Sequence, residues 1–261
     1  MSSPEAGERA DRFHRGRFTL IQPAVGGYRA GLDAMLLAAT VAKDMEGTAL
    51  DLGAGTGAVG LGAAALAPAL RVVLAERDEA CAAALARTLS LAGNADFAAR
   101  SRVARLDVLA GRAAREAAGL ADGGFDLVLT NPPFYPANHR VSPDPRRRAA
   151  LNVEGPDFLL RWLRVAAALV APRGRLHAIV RPADLPTVFT ALENRLGALS
   201  ILPVHTRPGA ATRLLVGARR GSRAAPSILR AVVLFGPDGS ANELSGEIGD
   251  GAAHLSLAAG R

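Results

Sequence analysis

One four-residue motif combines a side-chain amide, two conformationally fixed residues and an aromatic ring. Its residues are Asn131, Pro132, Pro133 and Phe134. Proline locks its own φ, lacks an N–H and holds the preceding residue in an extended conformation. Asn131 is therefore expected to present its amide, and Pro132 its carbonyl, in fixed directions beside the Phe134 ring. Such a group can grip a flat chemical group that carries an NH₂. We predict that this NH₂ receives a methyl group.

The residues before this motif indicate where it lies in the fold. The run from Phe125 to Thr130 is apolar and β-prone and follows Gly123-Gly124, which predicts a buried strand. Open α/β sheets bind their ligands at the carboxyl ends of their strands. We therefore expect Asn131 at the ligand-binding edge of such a sheet.

A glycine turn, Asp51–Gly57, separates a predicted strand over residues 49–52 from a predicted helix that runs to residue 67. Glycines there permit positive φ and let a ligand approach the backbone. The turn overlaps the dinucleotide pattern G-x-G-x-x-G, but Asp51 precedes it where a pyrophosphate would meet a carboxylate. A dinucleotide-dependent enzyme would transfer a hydride, and Asn131 and the prolines after it have no role in that reaction. A ligand with a positively charged sulfonium tolerates the carboxylate.

Two more acids follow predicted strands. Glu76 ends the strand over residues 71–76, where it can accept hydrogen bonds from a ribose diol. Asp107 follows the strand over residues 102–106, where it can accept from an adenine amino group or cap a helix. Together with Asp51, these acids predict a pocket for S-adenosylmethionine.

Strands alternate with helices over most of the chain, which predicts an α/β fold. Right-handed crossovers then give a doubly wound, mostly parallel, seven-stranded sheet of the Rossmann-like type. The runs 199–204 and 212–218 are joined by a short loop, so they are expected to pair as an antiparallel hairpin at the end of the sheet. Residues 228–235 are a candidate for one more strand.

The chain is expected to form a single domain over residues 12–236. Residues 1–11 are polar and are predicted to be disordered, and the Gly/Ala/Ser-rich residues 237–261 to be loosely ordered. Asp33 is a candidate N-cap for a helix over residues 34–43. Trp162 falls in the apolar stripe of a helix that Pro156 opens, which favours a core position.

Composition narrows the class of protein. No apolar run reaches the roughly 18 residues of a membrane helix, and the polar start lacks a signal-peptide pattern. Cys81 is the only cysteine, which excludes internal disulfides and a cysteine-rich zinc site, and no metal site is expected. We therefore expect a cytoplasmic protein. The net charge is +7, and Lys43 is the only lysine beside 30 arginines, a bias that suits a nucleic-acid partner or reflects a GC-rich genome.

From about residue 17 to residue 222 the chain resembles the class I methyltransferases, and within them the small-domain group that methylates planar nitrogens. The resemblance rests on the glycine turn, Glu76, Asp107 and the motif Asn131–Phe134. It implies S-adenosylmethionine as cofactor and no metal. The implied catalytic residues are Asn131, Pro132, Pro133 and Phe134. The implied cofactor-binding residues are Arg29, Asp33, Asp51, Gly53, Ala54, Gly55, Gly57, Glu76, Arg77, Asp107, Val108 and Asn131.

Two segments show a narrower resemblance, namely residues 28–37 and the arginine-rich loop after the motif. They resemble the bacterial tRNA (adenine-N6)-methyltransferases that act on valine tRNA. This resemblance implies a tRNA partner, although the residues after Gly236 are poorer in aromatic side chains than is typical of that family. Methylation of a protein glutamine, or of guanine N2 in rRNA, stays open. The arginines expected to contact phosphates, or else to form a solvated loop, are Arg140, Arg146, Arg147 and Arg148.

Overall fold

The computed structural model describes residues 4–5, 7–24, 31–133, 155 and 157–258. Among them the α-helices are α1 Leu32–Ala38, α2 Ala58–Leu66, α3 Glu79–Leu89, α4 Ala95–Ala98, α5 Arg112–Ala117, α6 Phe158–Leu169, α7 Leu185–Leu192 and α8 Glu243–Asp250. The strands are β1 Glu8–Phe13, β2 Phe18–Pro23, β3 Gly47–Leu52, β4 Leu70–Glu76, β5 Ser101–Arg105, β6 Phe125–Thr130, β7 Val170–Val180, β8 Leu196–His205, β9 Arg213–Arg220, β10 Ser227–Ile228 and β11 Val232–Val233.

The central sheet has the order β10-β8-β9-β7-β6-β3-β4-β5, and β11 also pairs with β8. The strands β3 to β7 pair in parallel, whereas β9 is antiparallel to both β7 and β8. The predicted doubly wound fold with its terminal antiparallel hairpin is therefore confirmed. Seven strands are long, and the sheet reaches nine because the two-residue strands β10 and β11 add to β8.

The middle strands are apolar because helices cover both faces of the sheet. Leu50 of β3 and Val128 of β6 are fully buried in one core layer, and Leu127 and Leu129 are buried in the other. This is the pattern of a parallel sheet with two covered faces. The sheet is therefore a rigid support for the residues that follow its strands.

The N-terminal segment corrects the prediction of disorder over residues 1–11, which is wrong from Glu8 onwards. Residues 8–13 form β1, which pairs with β2 in a separate two-stranded sheet. Glu8 also forms an ion pair with Arg87 of α3, and the Thr19 N–H of β2 donates to Asn94 at 3.0 Å. Thr19 and Asn94 lie 75 residues apart along the chain, which is why the local sequence did not reveal such partners.

The C-terminal segment corrects the prediction of a loose tail after residue 236. Asn242 caps α8 by accepting from the Ser245 N–H, and Gly251 ends the helix in the left-handed conformation. Ile248 and Leu255 are buried, and the Leu255 N–H donates to the Ala39 carbonyl, just after α1, at 2.8 Å. The tail is part of the folded core, and its Asn and Gly caps were the available sequence signal.

Candidate active site

Strand register brings the predicted site residues to one edge of the sheet. Leu52 at the end of β3 pairs with Thr130 of β6 on one side and with Ala75 of β4 on the other. The next residues, Gly53 and Asn131 among them, therefore lie side by side at the carboxyl edge. β5 adds Asp107 to the same edge, because its last residue pairs with Glu76.

The glycine turn is tied to the end of β4 by backbone hydrogen bonds. The N–H groups of Gly53 and Ala54 donate to the Ala75 carbonyl at 3.0 and 2.9 Å. The Gly55 N–H donates to the Glu76 carboxylate at 2.8 Å. The ends of β3 and β4 are therefore joined by hydrogen bonds, which fix the shape of the turn.

Three positions of the turn require glycine for conformational reasons. Gly53, Gly55 and Gly57 have φ values of +78°, +55° and +91°. A Cβ at Gly57 would lie 2.4 Å from Leu85 Cδ1, and one at Gly53 would lie 2.8 Å from the Trp162 ring. Space as well as backbone strain therefore excludes side chains at the first and last of these positions.

Asp51 lies beneath the turn. Its carboxylate is buried and accepts from the Gly60 N–H of α2 at 2.8 Å, so it fixes the helix that follows the turn. The pKa of Asp51 is raised to about 7, mainly because burial disfavours the charged form; the bond from Gly60 lowers the pKa, and the nearby Glu76 charge contributes a smaller increase. Asp51 thus stabilises the connection between the glycine turn and α2.

Glu76 is oriented by three backbone donors. One oxygen accepts from Gly55, and the other accepts from the N–H groups of Arg77 and Asp78, each at 2.8 Å. A carboxylate has about four acceptor positions, so one remains for a hydroxyl of a bound ligand. Arg77 contributes its backbone N–H here, and its side chain is exposed.

Asp107 caps a turn rather than a helix. Its Oδ1 accepts from the Leu109 N–H at 2.9 Å, whereas α5 begins only at Arg112. The helix-capping alternative for Asp107 is therefore wrong. Asp107 is half-buried, and the neighbouring Val108 side chain is buried. Among the described residues, the Asp107 carboxylate accepts through Oδ1, and no donor contacts Oδ2. This oxygen is available to a ligand amino group.

Asn131 is held in place from the preceding residue. The buried hydroxyl of Thr130 donates to the Leu52 carbonyl at 2.9 Å and accepts from the indole N–H of Trp162, also at 2.9 Å. Asn131 is half-buried, Pro132 is buried and Pro133 is half-buried. The Thr130 hydroxyl thus joins the strand end that carries Asn131 to the strand end that carries the glycine turn.

Trp162 confirms its predicted core position, with 6% of its surface exposed. Its ring lies against Gly53 and packs on Phe158, with 5.5 Å between ring centroids. Sequence reasoning missed the hydrogen bond to Thr130. A buried tryptophan N–H needs an acceptor, and a threonine directly before Asn131 was the signal that could have suggested one.

Asp33 corrects the prediction of an N-cap. α1 begins at Leu32 with Gly31 as its N-cap, and no side chain caps it. The Asp33 carboxylate instead accepts from Arg213 Nε of β9 at 2.8 Å. Because Leu214 pairs with Val180 at the carboxyl end of β7, this ion pair lies at the same edge as the site and ties α1 to the hairpin.

Several expected residues lie outside the described part of the chain. Within residues 4–5, 7–24, 31–133, 155 and 157–258, no helix is long and apolar enough to span a membrane, and no group of three His, Cys, Asp or Glu side chains could hold a metal. The expected residues outside these ranges are Arg29, Phe134, Arg140, Arg146, Arg147 and Arg148.

The charge of the described site favours a particular kind of ligand. Asp51, Glu76 and Asp107 accept from backbone N–H groups, and no described arginine or lysine side chain pairs with them. A pyrophosphate would be repelled there, whereas a cationic, hydroxyl-bearing ligand would be attracted. S-Adenosylmethionine, with its sulfonium, ribose diol and adenine amino group, fits this set of acceptors.

Comparisons with known proteins agree with this geometry. The family described as "Methyltransferase small domain" matches residues 29–144. A Porphyromonas gingivalis protein named tRNA1(Val) (adenine(37)-N6)-methyltransferase is 31% identical over 209 residues, covering 76% of this chain and 78% of that protein. The chain belongs to the small-domain methyltransferase family. The expected enzyme class, an S-adenosylmethionine-dependent methyltransferase, is thereby confirmed.

Two further comparisons place this methyltransferase among enzymes with different acceptors. A solved structure from Agrobacterium tumefaciens, titled a predicted O-methyltransferase, is 33% identical with a TM-score of 0.73, covering 86% of this chain and 99% of that one. A 4-amino-L-phenylalanine/4-methylamino-L-phenylalanine methyltransferase from Streptomyces pristinaespiralis is 32% identical over 54% of this chain and 47% of its own length. Family membership alone therefore leaves the acceptor to be argued from the site.

Proposed function

We propose that this methyltransferase transfers a methyl group from S-adenosylmethionine to the exocyclic N6 amine of adenine in tRNA. The observation that carries the proposal is the position of Asn131, one residue past the Leu52–Thr130 pair and beside the glycine turn. An amide acceptor in that position faces the place where the methyl donor binds. The name of the Porphyromonas gingivalis relative supports adenine in tRNA as the acceptor.

Glu76 and Asp107 bind the nucleoside part of the cofactor. The remaining acceptor position of Glu76 takes a ribose hydroxyl, and Asp107 Oδ2 takes the adenine amino group beside Val108. The turn Gly53–Gly57 lies against the methionine part, where the absence of side chains permits close approach. The bound cofactor supplies an electrophilic methyl group on a sulfonium. Because three backbone N–H groups already orient Glu76, binding requires little rearrangement.

Asn131 and Pro132 act on the acceptor. An exocyclic amine is a weak nucleophile because its lone pair is delocalised into the ring. The Asn131 side-chain oxygen and the Pro132 carbonyl accept the two N–H groups, which favours a pyramidal nitrogen with its lone pair directed at the methyl group. The amine releases one proton after transfer. Phe134 and Pro133 hold the ring, so that catalysis is mainly positioning and preorganised dipoles.

The arginines Arg140, Arg146, Arg147 and Arg148 contact phosphates of the RNA next to the flipped base. An adenine in a loop can be splayed out at low cost, which suits an enzyme that must reach its amino group. We also propose a cytoplasmic location, where such an enzyme would meet its tRNA substrate. The net charge of +7 supports this kind of partner.

The experiment that tests the proposal identifies the methylated acceptor. Purified protein is incubated with labelled S-adenosylmethionine and, separately, with unmodified tRNA or with a protein fraction that contains release factors. We expect label in tRNA, recovered as N6-methyladenosine after digestion and mass spectrometry. Label found only in protein, on glutamine, or only in guanine would contradict the proposal.

A further inference from the structure

Five exposed arginines lie along the edge of the sheet opposite to the active site. We call them the amino-edge arginines, because they lie near the amino ends of β7 and β8. These two strands run in the same direction on either side of β9. The arginines come from the start of β7, the residue before β8, the end of β9 and the segment after β9. They are Arg173, Arg175, Arg195, Arg219 and Arg223.

Strand pairing makes these arginines neighbours although they are far apart in sequence. Arg175 of β7 is paired directly with Arg219 of β9. On its other side, Arg219 is paired with Gly197 of β8, whose Cβ position would lie 3.4 Å from the Arg223 backbone nitrogen. These pairings place Arg175, Arg219 and Arg223 on neighbouring strands or next to them. Arg173 and Arg195 lie two residues before the paired positions 175 and 197.

This arrangement has no evident value for folding. Like charges placed directly opposite each other on antiparallel strands are destabilising, and no described carboxylate forms an ion pair with any of the five arginines. The adjacent Arg220 differs, because its guanidinium donates to the Val170 carbonyl at 2.6 Å. Arg220 thus has a structural partner, whereas the amino-edge arginines have no described carboxylate partner and present their charge to solvent.

Acidic groups limit this surface on one side. A cleft of about 310 Å³ is lined by Arg173 and Arg175 and also by three acids, Asp44, Glu46 and Asp126. The Asp126 carboxylate accepts from the Thr48 N–H at 2.8 Å, so it is engaged in the sheet. Glu193 is a further acid close in sequence, two residues before Arg195. The positive charge consequently extends from β7 towards β8, away from this cleft.

We infer that the amino-edge arginines bind phosphates of the tRNA body, at a distance from the nucleotide that is methylated. This inference rests on the proposed function. Arg175 is paired with Leu127 of β6, and Asn131 lies four residues further along, which is about 13 Å at the rise of a strand. The contact is therefore outside the active site, and it gives affinity for a large folded RNA without taking part in the transfer.

The test compares two double variants. Arg175→Gln/Arg219→Gln removes the cross-strand pair, and Arg12→Gln/Arg164→Gln removes two exposed arginines elsewhere that have no described carboxylate partner. Each phosphate contact contributes roughly 0.8 to the salt exponent of RNA binding. Loss of two contacts therefore raises KM and Kd for tRNA about 20-fold at about 0.15 M salt and lowers the salt exponent by about 1.6. kcat and the affinity for S-adenosylmethionine stay unchanged, and the tRNA affinity of the control variant stays within about 2-fold of wild type.

A third variant separates RNA binding from folding. Arg175→Glu places a carboxylate opposite Arg219, so the urea midpoint should rise while tRNA affinity falls. If wild type methylates tRNA, a tRNA KM that stays at the wild-type value in all variants, or rises equally in the control, would overturn the inference and leave the proposed function intact. The inference would also be overturned if the variants bound anionic lipid vesicles more weakly than wild type but bound tRNA as wild type does. Absence of tRNA methylation by wild type would instead overturn the proposed function, and direct tRNA binding would still report on the arginines.

Discussion

Replacement of Thr130 by valine tests the link between the two halves of the site. Valine has nearly the same shape as threonine but lacks the hydroxyl that accepts from Trp162 and donates to the Leu52 carbonyl, both at 2.9 Å. Thr130 is fully buried and Trp162 is nearly so. The variant therefore leaves the indole N–H without its acceptor in a place that water does not reach.

The expected loss can be estimated from these two bonds. A buried polar group left without its partner costs about 1–3 kcal/mol. The Leu52 carbonyl also loses a donor, which adds a smaller cost. We therefore expect Thr130→Val to lower the free energy of unfolding by about 2–4 kcal/mol in total. Because Asn131 is adjacent, a small displacement should also lower kcat, and about 1 Å of misplacement can cost about 10²-fold.

Urea unfolding and steady-state kinetics measure both effects, and Thr130→Ser is the control because it keeps the hydroxyl. Trp162→Phe removes the donor while retaining most of the ring. Since both changes break the same bond, their effects on stability should be clearly less than additive. Two results would refute the proposed role of the hydroxyl. One is strict additivity of the two changes; the other is a decrease in the free energy of unfolding of Thr130→Val below about 0.5 kcal/mol, which is typical of substitutions that break no specific interaction.

Three further predictions concern the same edge of the sheet. Gly57→Ala should lower both stability and S-adenosylmethionine affinity, measured by urea unfolding and calorimetry, because φ is +91° and a Cβ would meet Leu85. Burial raises the pKa of Asp51 to about 7 from 3.8, so the native state binds the extra proton and stability falls by a few kcal/mol as pH rises from about 4 to 7; Asp51→Asn should abolish this slope. Asp33→Asn breaks a partly exposed pair with Arg213 and should cost less than about 1 kcal/mol in urea unfolding, and a large loss of cofactor affinity would show a direct role instead.

The sequence predicted what depends on local pattern. Alternating strands and helices indicated the parallel sheet, and register then placed Gly53, Glu76 and Asn131 at one edge. The positions of these residues follow from strand ends, which apolar runs and glycine or proline boundaries mark well. The fold and the location of the candidate site were accessible for this reason.

What depends on distant partners was not predicted. Asp33 looked like a helix cap because its true partner, Arg213, is 180 residues away. The start of β1 was predicted to be disordered and α8 to be loosely ordered, because each is stabilised by packing on elements that lie far away along the chain. The hydrogen bond between Thr130 and Trp162 spans 32 residues for the same reason. The pairing of Arg175 with Arg219 likewise emerges only from the register of β7 and β9.

Asn131→Ala tests the central claim most directly, namely that the Asn131 amide grips the amine that receives the methyl group. Methyl transfer to tRNA and calorimetric binding of S-adenosylmethionine are measured on the same preparation. We predict a loss in kcat of about 10²-fold or more, the size expected for one preorganised hydrogen bond in a transition state. The Kd for the cofactor should stay within about 2-fold, since the carboxylates that bind it are untouched. Near wild-type methylation by Asn131→Ala would contradict the claim.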